Sequence, residues 1–300
     1  MSSLRGINAY RFRIPIKRKL VLSGNRVSER EGILLERDGH WAEASPLPGF
    51  SKESISDVIT ALNGELKDGS LPASLSFALS SLHQPMPAQL KVPLNRLLMG
   101  DEETIVAEAK QCDALGFQAV KLKVGRNDLE TEISLVRKIR DLLPDRIGLR
   151  LDANQAWSFD QAARFANRLK DVDLEYIEEP LQEPNQLERL HAQTGIGYAL
   201  DETLTEAHTL ERWPNAAALI CKPTILGGRT VIERLAATGK PIVFSAAFES
   251  GVGIARVMQL AVEFSPNTPA GLDTLAWLGN DVLVRSPDSH DGFMIVDDFQ

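Results

Sequence analysis

Cysteine is scarce in this chain, with two in 300 residues, Cys112 and Cys221. They lie far apart and show no metal-ligand spacing, which excludes a thiolate metal site and points to a reducing, cytoplasmic setting. Long apolar runs are also missing; none approaches the ~20 residues that a membrane span needs. Positive charge is in deficit, 33 Lys and Arg against 41 Asp and Glu, for a net charge of −8. That balance argues against nucleic acid or an anionic membrane surface as partner. The five histidines (His40, His83, His191, His208, His290) fall in expected loops or helices. None stands at an expected strand end, so histidine catalysis is not expected. The N-terminus carries Arg5, Arg11, Arg13, Lys17, Arg18 and Lys19. Tyr10, Phe12 and Ile14 alternate with Arg11 and Arg13, which is strand patterning and not a targeting peptide.

What is present supports a sizeable core, since 43% of the residues are hydrophobic. Residues 1–91 read as an α+β unit. Alternating stretches at 9–15, 32–37 and 41–45 suggest an antiparallel meander, and two helical patterns follow at 51–66 and 73–82, with Ser51 as N-cap. From residue 92 strands and amphipathic helices alternate. Strands are expected at 92–99, 117–124, 147–153, 174–178, 197–201, 217–222, 241–245 and, briefly, 271–273. This rhythm is α/β and suits a TIM-type (β/α)7β barrel over residues 92–280 with its last helix shortened or missing. The tail, 281–300, is expected to pack back on the N-terminal unit.

Three short acidic patches each close an apolar run: Leu151-Asp152-Ala153-Asn154, Ile177-Glu178-Glu179-Pro180 and Leu200-Asp201-Glu202-Thr203. Lys121-Leu122-Lys123 precedes them and Cys221-Lys222-Pro223 follows. The intervals, 26 residues from Asp152 to Glu178, 23 to Asp201 and 21 to Lys222, are each about one βα unit. Side chains two apart on a strand share a face, so Lys121 goes with Lys123 and Arg150 with Asp152. Lys123, Asp152, Glu178, Asp201 and Lys222 then line an arc at the C-terminal ends of five successive strands, where barrels carry their chemistry. Three carboxylates on neighbouring strand ends offer an oxygen-rich cage for a hard divalent cation, and a lysine on either side suggests proton chemistry. A single acid after a strand is more often a helix N-cap; three in succession, framed by lysines, reverse that preference. Gly227-Gly228 before the next helix can cradle a phosphate, although such a pair is more often a turn.

Several stretches resemble the o-succinylbenzoate synthase family, in the muconate-lactonizing-like branch of the enolase superfamily. They are Ala42-Glu43-Ala44-Ser45-Pro46-Leu47-Pro48-Gly49-Phe50-Ser51, Leu149-Arg150-Leu151-Asp152-Ala153-Asn154 and Ala270-Gly271-Leu272-Asp273-Thr274-Leu275, together with the Lys-x-Lys motif and Lys222. The resemblance runs to about Leu278. It implies Asp152, Glu178 and Asp201 as ligands of Mg²⁺, with Mn²⁺ as the other candidate. Lys123 is implied as the base, as is general for superfamily sites with a Lys or His base and bound Mg²⁺. Lys222 faces it across the site, Lys121, Arg150 and Asn154 support, and Glu179 turns away. Ser245, Gly271 and Leu272 are implied to contact substrate. The N-terminal unit is implied to be a capping domain with lid loops at 22–27 and 47–50.

The implied reaction is the syn-dehydration of 2-succinyl-6-hydroxy-2,4-cyclohexadiene-1-carboxylate to 2-succinylbenzoate in menaquinone biosynthesis. It proceeds by proton abstraction α to a carboxylate and a metal-stabilised ene-diolate, which makes the chain a hydro-lyase acting on a small carboxylate. Two positions depart from the family pattern: Gln155, where a basic residue is expected, and Ala246-Ala247, where hydroxyls are. The same cage and lysine pair also serve N-succinylamino acid or dipeptide racemases and muconate-type cycloisomerases. A Schiff-base aldolase using Lys222 and a ligand-binding barrel with a structural metal are more distant alternatives.

Overall fold

The computed structural model describes residues 6–22, 25–65, 70–206 and 210–297. The chain opens with three antiparallel strands in the order β1 (Asn8–Leu22), β2 (Asn25–Arg37) and β3 (His40–Ala44). Leu22 pairs with Asn25, so most of the expected lid loop at 22–27 is the end of a hairpin. Its Ser23 and Gly24 lie outside the described residues. Helix α1 (Ile55–Leu62) is shorter than the 51–66 pattern suggests. Ser54, not Ser51, is its N-cap, because Ser54 and Asp57 bond reciprocally in a capping box. Ser51 instead closes the preceding turn, its Oγ accepting the Leu47 N–H at 2.9 Å. Helix α2 (Ala73–Leu82) packs against β3 and, with Leu75, Ala78 and Leu82, completes a small core with Ile33, Leu35 and Val58.

The expected strand at 92–99 is two strands in two sheets. β4 (Gln89–Pro93) joins the C-terminal strands β12 (Asp288–His290) and β13 (Phe293–Asp297) in the order β12-β13-β4. The tail thus pairs with β4, residues 295–297 opposite 91–89 and residues 293–294 opposite 93–92; just before it, Gly279 donates its N–H to the Pro15 carbonyl on β1 at 2.6 Å. His40 and His290 lie in strands, against the expectation of loops or helices; His208 lies outside the described residues.

β5 (Asn95–Leu98) starts a seven-stranded parallel sheet in the order β11-β10-β9-β8-β7-β6-β5. Its other strands are β6 (Ala119–Lys123), β7 (Gly148–Asp152), β8 (Tyr176–Glu178), β9 (Tyr198–Leu200), β10 (Ala216–Cys221) and β11 (Ile242–Phe244). Helices α3 (Glu102–Ala109), α4 (Leu129–Leu142), α5 (Phe159–Arg168) and α6 (Leu187–Thr194) connect β5 through β9; α7 (Pro223–Leu226) and α8 (Arg229–Ala236) connect β10 to β11. The sheet is buried on both faces, so its strands read as apolar runs in which a charge stands out. On β6, Val120 and Leu122 are fully buried in the main core while Lys121 and Lys123 keep slight exposure.

The expected strand at 271–273 is reduced to two residues that bond to both ends of this sheet order. Ala270 donates to Pro93 O and accepts from the Asn95 N–H; Gly271 donates to Phe244 O and accepts from the Ala246 N–H, all at 2.8–3.0 Å. A 3-10 turn, Leu275–Trp277, takes the place of a final helix. Helix α9 (Gly251–Phe264) is almost wholly buried and packs against β3, β4 and β11. The architecture is therefore α/β, built on a parallel sheet. Among the described residues no helix is long and apolar enough to cross a membrane.

Candidate active site

Parallel register sets the site. Lys123 pairs with Asp152 and Asp152 with Glu178, which puts three charged side chains at one level on β6, β7 and β8. Asp201 follows the last residue of β9, and Lys222 follows β10 at the N-cap of α7. Lys121, two residues before Lys123, reaches across β7: its Nζ lies 3.1 Å from Asp152 Oδ2 and 3.1–3.2 Å from both Glu178 oxygens. Lys123 Nζ donates to Asp152 Oδ2 and to Asn154 Oδ1, each at 2.5 Å. Lys222 donates to Asp201 Oδ2. All three carboxylates are buried, whereas the lysine side chains retain 14–16% exposure.

Burial and proximity set the charge states. Burial pushes the Asp152 carboxyl up, but Lys121 and Lys123 outweigh it and hold the group well below the usual carboxylate range. Glu178 moves the other way, to about 8, through burial and the adjacent Asp152 and Asp201 charges, with Lys121 opposing. For Lys121, burial works against the ammonium form, but Glu178 and Asp152 outweigh it and raise its pKa well above that of an ordinary lysine. Lys222 is raised in the same way, by Asp201 and then Glu178 against burial.

The oxygen donors suit a hard divalent cation, and a positive charge placed among them would reverse the push that raises Glu178. As the side chains stand, the Lys121 ammonium lies between Asp152 and Glu178, and Lys222 takes Asp201. Accordingly, among the described residues no three acidic, histidine or cysteine groups are spaced as a closed metal site.

The loops at this end are held by further buried acids. Glu179 turns away from the cluster, at φ 42°, and accepts the backbone N–H groups of Asp201 and Thr203 at 2.8 Å. Thr203 Oγ1 and Gln155 Nε2 also donate to it, at 2.7 and 2.9 Å. Gln155, where a basic residue is expected, thus serves Glu179. Glu132 does the same for the loop after β6, accepting three backbone N–H groups at residues 125–127. Asn154, at φ 44°, orients the Lys123 ammonium through Oδ1 and donates Nδ2 to Glu202 at 3.0 Å. Glu202 itself is raised to about 7 by burial and by Asp201.

Other expected contacts are placed differently. Arg150 shares the Asp152 face but points to the opposite end, where its Nε meets Glu175 Oε2 at 2.5 Å and its Nη1 donates to Pro269 O at 2.7 Å. Its guanidinium also lies 5.5 Å from the Tyr176 ring centroid. Arg150→Met is therefore expected to cost about 2–4 kcal/mol in urea denaturation, with turnover changed less than about threefold. Leu272 is a core residue with no exposed surface. Ser245 is nearly buried, with Oγ 3.4 Å from Gly271 O, and the Ala246 and Ala247 backbone serves strand closure and Glu249. Gly227 and Gly228 pack against α2, so they are no phosphate cradle: a Cβ on Gly228 would meet Ser76 O at 2.9 Å. The turn at 47–50 does reach the site, its Phe50 ring centroid lying 5.6 Å from Lys222 Nζ. Sequence reasoning missed the roles of Glu132 and Glu202; the only signal either carries is position, Glu132 nine residues past Lys123 and Glu202 next to Asp201.

Comparison with known proteins accords with this geometry. Residues 104–299 match the family described as Enolase C-terminal domain-like, and residues 4–74 match the MenC, N-terminal domain. The o-succinylbenzoate synthase of Haemophilus influenzae is 30% identical over 315 residues, covering 95% of this chain and 94% of its own. Among solved structures, the o-succinylbenzoate synthase of Thermosynechococcus elongatus BP-1, complexed with Mg in the active site, superposes with a TM-score of 0.78. It is 22% identical and covers 93% of this chain and 96% of its own. The L-Ala-D/L-Glu epimerase of Bacillus subtilis gives the same TM-score at 21% identity, with 96% and 94% covered. The chain belongs to the enolase superfamily and, within it, to the o-succinylbenzoate synthase family.

Proposed function

We propose that this chain dehydrates 2-succinyl-6-hydroxy-2,4-cyclohexadiene-1-carboxylate to 2-succinylbenzoate, a hydro-lyase step of menaquinone biosynthesis. The observation that carries this reading is the charged arc on five adjacent strands, in which Lys121, Lys123, Asp152 and Glu178 bond as one group and Lys222 and Asp201 as a second, the two coupled through charge. It occurs in a chain similar to o-succinylbenzoate synthases over 95% of its length. The site stands at the mouth of a (β/α)7β barrel, a closure supported by the Ala270 and Gly271 bonds to both ends of the sheet order. Residues 1–91 cap that mouth and bring the Phe50 ring centroid to 5.6 Å from Lys222 Nζ.

Asp152, Glu178 and Asp201 hold a divalent cation, Mg²⁺ with Mn²⁺ as the other candidate, which when bound neutralises charge on the substrate carboxylate as a Lewis acid. Lys123 as free amine removes the proton on the carbon α to that carboxylate. The resulting ammonium returns the proton to the departing hydroxyl, so that water leaves from the same face. Asn154 directs the Lys123 nitrogen during both transfers. Lys222, kept charged by Asp201 and Glu178, stabilises the negative charge that builds on the substrate. Aromatisation of the ring makes the elimination strongly downhill.

Racemisation on the same scaffold needs a base on each face of the substrate, whereas this dehydration needs one. Lys222→Arg keeps the charge and removes the base. It is expected to retain dehydration at roughly 1–10% of the parent rate. Activity of the parent on N-succinylamino acids, lost completely in Lys222→Arg while dehydration is absent from both, would favour the racemase instead.

A further inference from the structure

The buried polar groups that the reaction does not use gather where the N-terminal sheet meets the site. Arg30 on β2 is 2% exposed, and its guanidinium donates to three main-chain carbonyls. Nη2 meets Ser45 O at 2.8 Å, Nη1 meets Pro46 O at 2.9 Å, and Nε meets Phe248 O at 3.1 Å. The first two acceptors open the turn that carries Phe50; the third lies in the loop after β11, 218 residues away in sequence.

Two buried carboxylates flank the guanidinium and supply its countercharge, Glu249 and Glu43. Glu249 accepts the Ala247 N–H at 2.6 Å and the Thr224 hydroxyl at 2.5 Å, just past Lys222. Glu43 accepts the Ser250 and Gly253 N–H groups at the start of α9. It also accepts the Ser45 hydroxyl at 2.6 Å. Gly253 is required for that approach, since a Cβ there would stand 2.9 Å from the Glu43 carboxylate.

Burying a guanidinium is costly, and an apolar side chain of similar volume would fill the same space without that cost. What an apolar side chain lacks is a rigid planar fork that can fix two separate backbone segments in one register. The segments held are informative. On one side, Leu47 O accepts the Phe50 and Ser51 N–H groups at 3.0 and 2.8 Å, so the 45–51 turn moves as a unit. On the other, Phe248 sits at φ 59° with its ring edge-on to Trp277 at 6.1 Å.

We propose that Arg30 is a positioning residue for the site: it locks the 45–51 turn to the 246–250 loop and so holds the Phe50 ring over Lys222. The kinetic consequence rests on the dehydration reading; the lock itself can be measured without substrate. Amide hydrogen exchange of the full chain is compared for the parent, Arg30→Met and Arg30→Lys, a lysine being unable to span all three carbonyls. In either variant, peptides covering 45–51 and 246–250 are expected to exchange at least about tenfold faster, with α4 unchanged within about twofold. Should Arg30→Met fail to fold, Arg30→Lys carries the same readout. Unchanged exchange in the two segments, or an equal rise in α4, would overturn the lock.

In turnover, Arg30→Lys is expected to raise KM about tenfold with kcat within about threefold. In a Phe50→Ala background it should raise KM no further, because both changes act through one ring. A fully additive rise would overturn the link to Phe50. A parent protein with no dehydratase activity, but with the exchange pattern intact, would reject the functional reading and leave the lock standing.

Discussion

Lys123→Ala is expected to lower kcat for dehydration by about 10³-fold or more, the scale of a lost general base in a two-step proton transfer. The structure makes this a clean test. Lys123 contacts Asp152 and Asn154, but Asp152 keeps Lys121 at 3.1 Å when Lys123 is truncated. The buried carboxylate is therefore not left unpaired, and the lost contacts are partly exposed, so the melting temperature should move by no more than about 4 °C. Mg²⁺ affinity, read by calorimetric titration, should stay within about fivefold, because none of the three carboxylates is altered. A variant with normal folding, normal Mg²⁺ binding and more than a tenth of the parent kcat would assign the base elsewhere.

The second large effect is at Glu178. Burial and its carboxylate neighbours raise this group to about 8 without a cation, so in metal-free protein at pH 7 the neutral form predominates. Glutamine mimics that form. Glu178→Gln should therefore leave the metal-free melting temperature unchanged or slightly higher. It should nonetheless weaken Mg²⁺ binding at least about 100-fold and abolish measurable turnover at millimolar Mg²⁺. The sign also gives a pH test. A carboxyl whose folded pKa is raised contributes stability below its unfolded value of ~4.3 and loses it progressively as pH rises through about 8. Metal-free parent should thus lose stability between pH 5 and pH 9, and Glu178→Gln should flatten that slope. Thermal melts across this range, with chelator, decide it: a slope unchanged by the substitution would contradict the charge assignment.

The charged arc was legible in the sequence for a physical reason. Strands buried on both faces are apolar throughout, so Lys121, Asp152, Glu178 and Lys222 interrupt a hydrophobic background at a spacing of one βα unit. What was not legible depends on partners distant in the chain. The 92–99 run divides because β4 finds β13 and β5 finds β6, a choice that local propensity does not record. Ser51 and Ser54 are equally good caps by type; only Asp57, three residues on, favours Ser54. Arg150 has the right face for the site, yet Glu175 and Pro269 draw it to the opposite end. Arg30, Glu43 and Glu249 look like ordinary surface charges in sequence, and their burial follows from α9 packing against β3.

The most direct test is the loss of cyclohexadiene absorbance when purified protein and Mg²⁺ meet 2-succinyl-6-hydroxy-2,4-cyclohexadiene-1-carboxylate. Dehydration at this site requires rapid, catalytic loss of the signal, stoichiometric appearance of 2-succinylbenzoate, and arrest on addition of chelator with recovery on excess Mg²⁺. A folded protein that binds Mg²⁺ and leaves the absorbance unchanged would contradict the proposed activity.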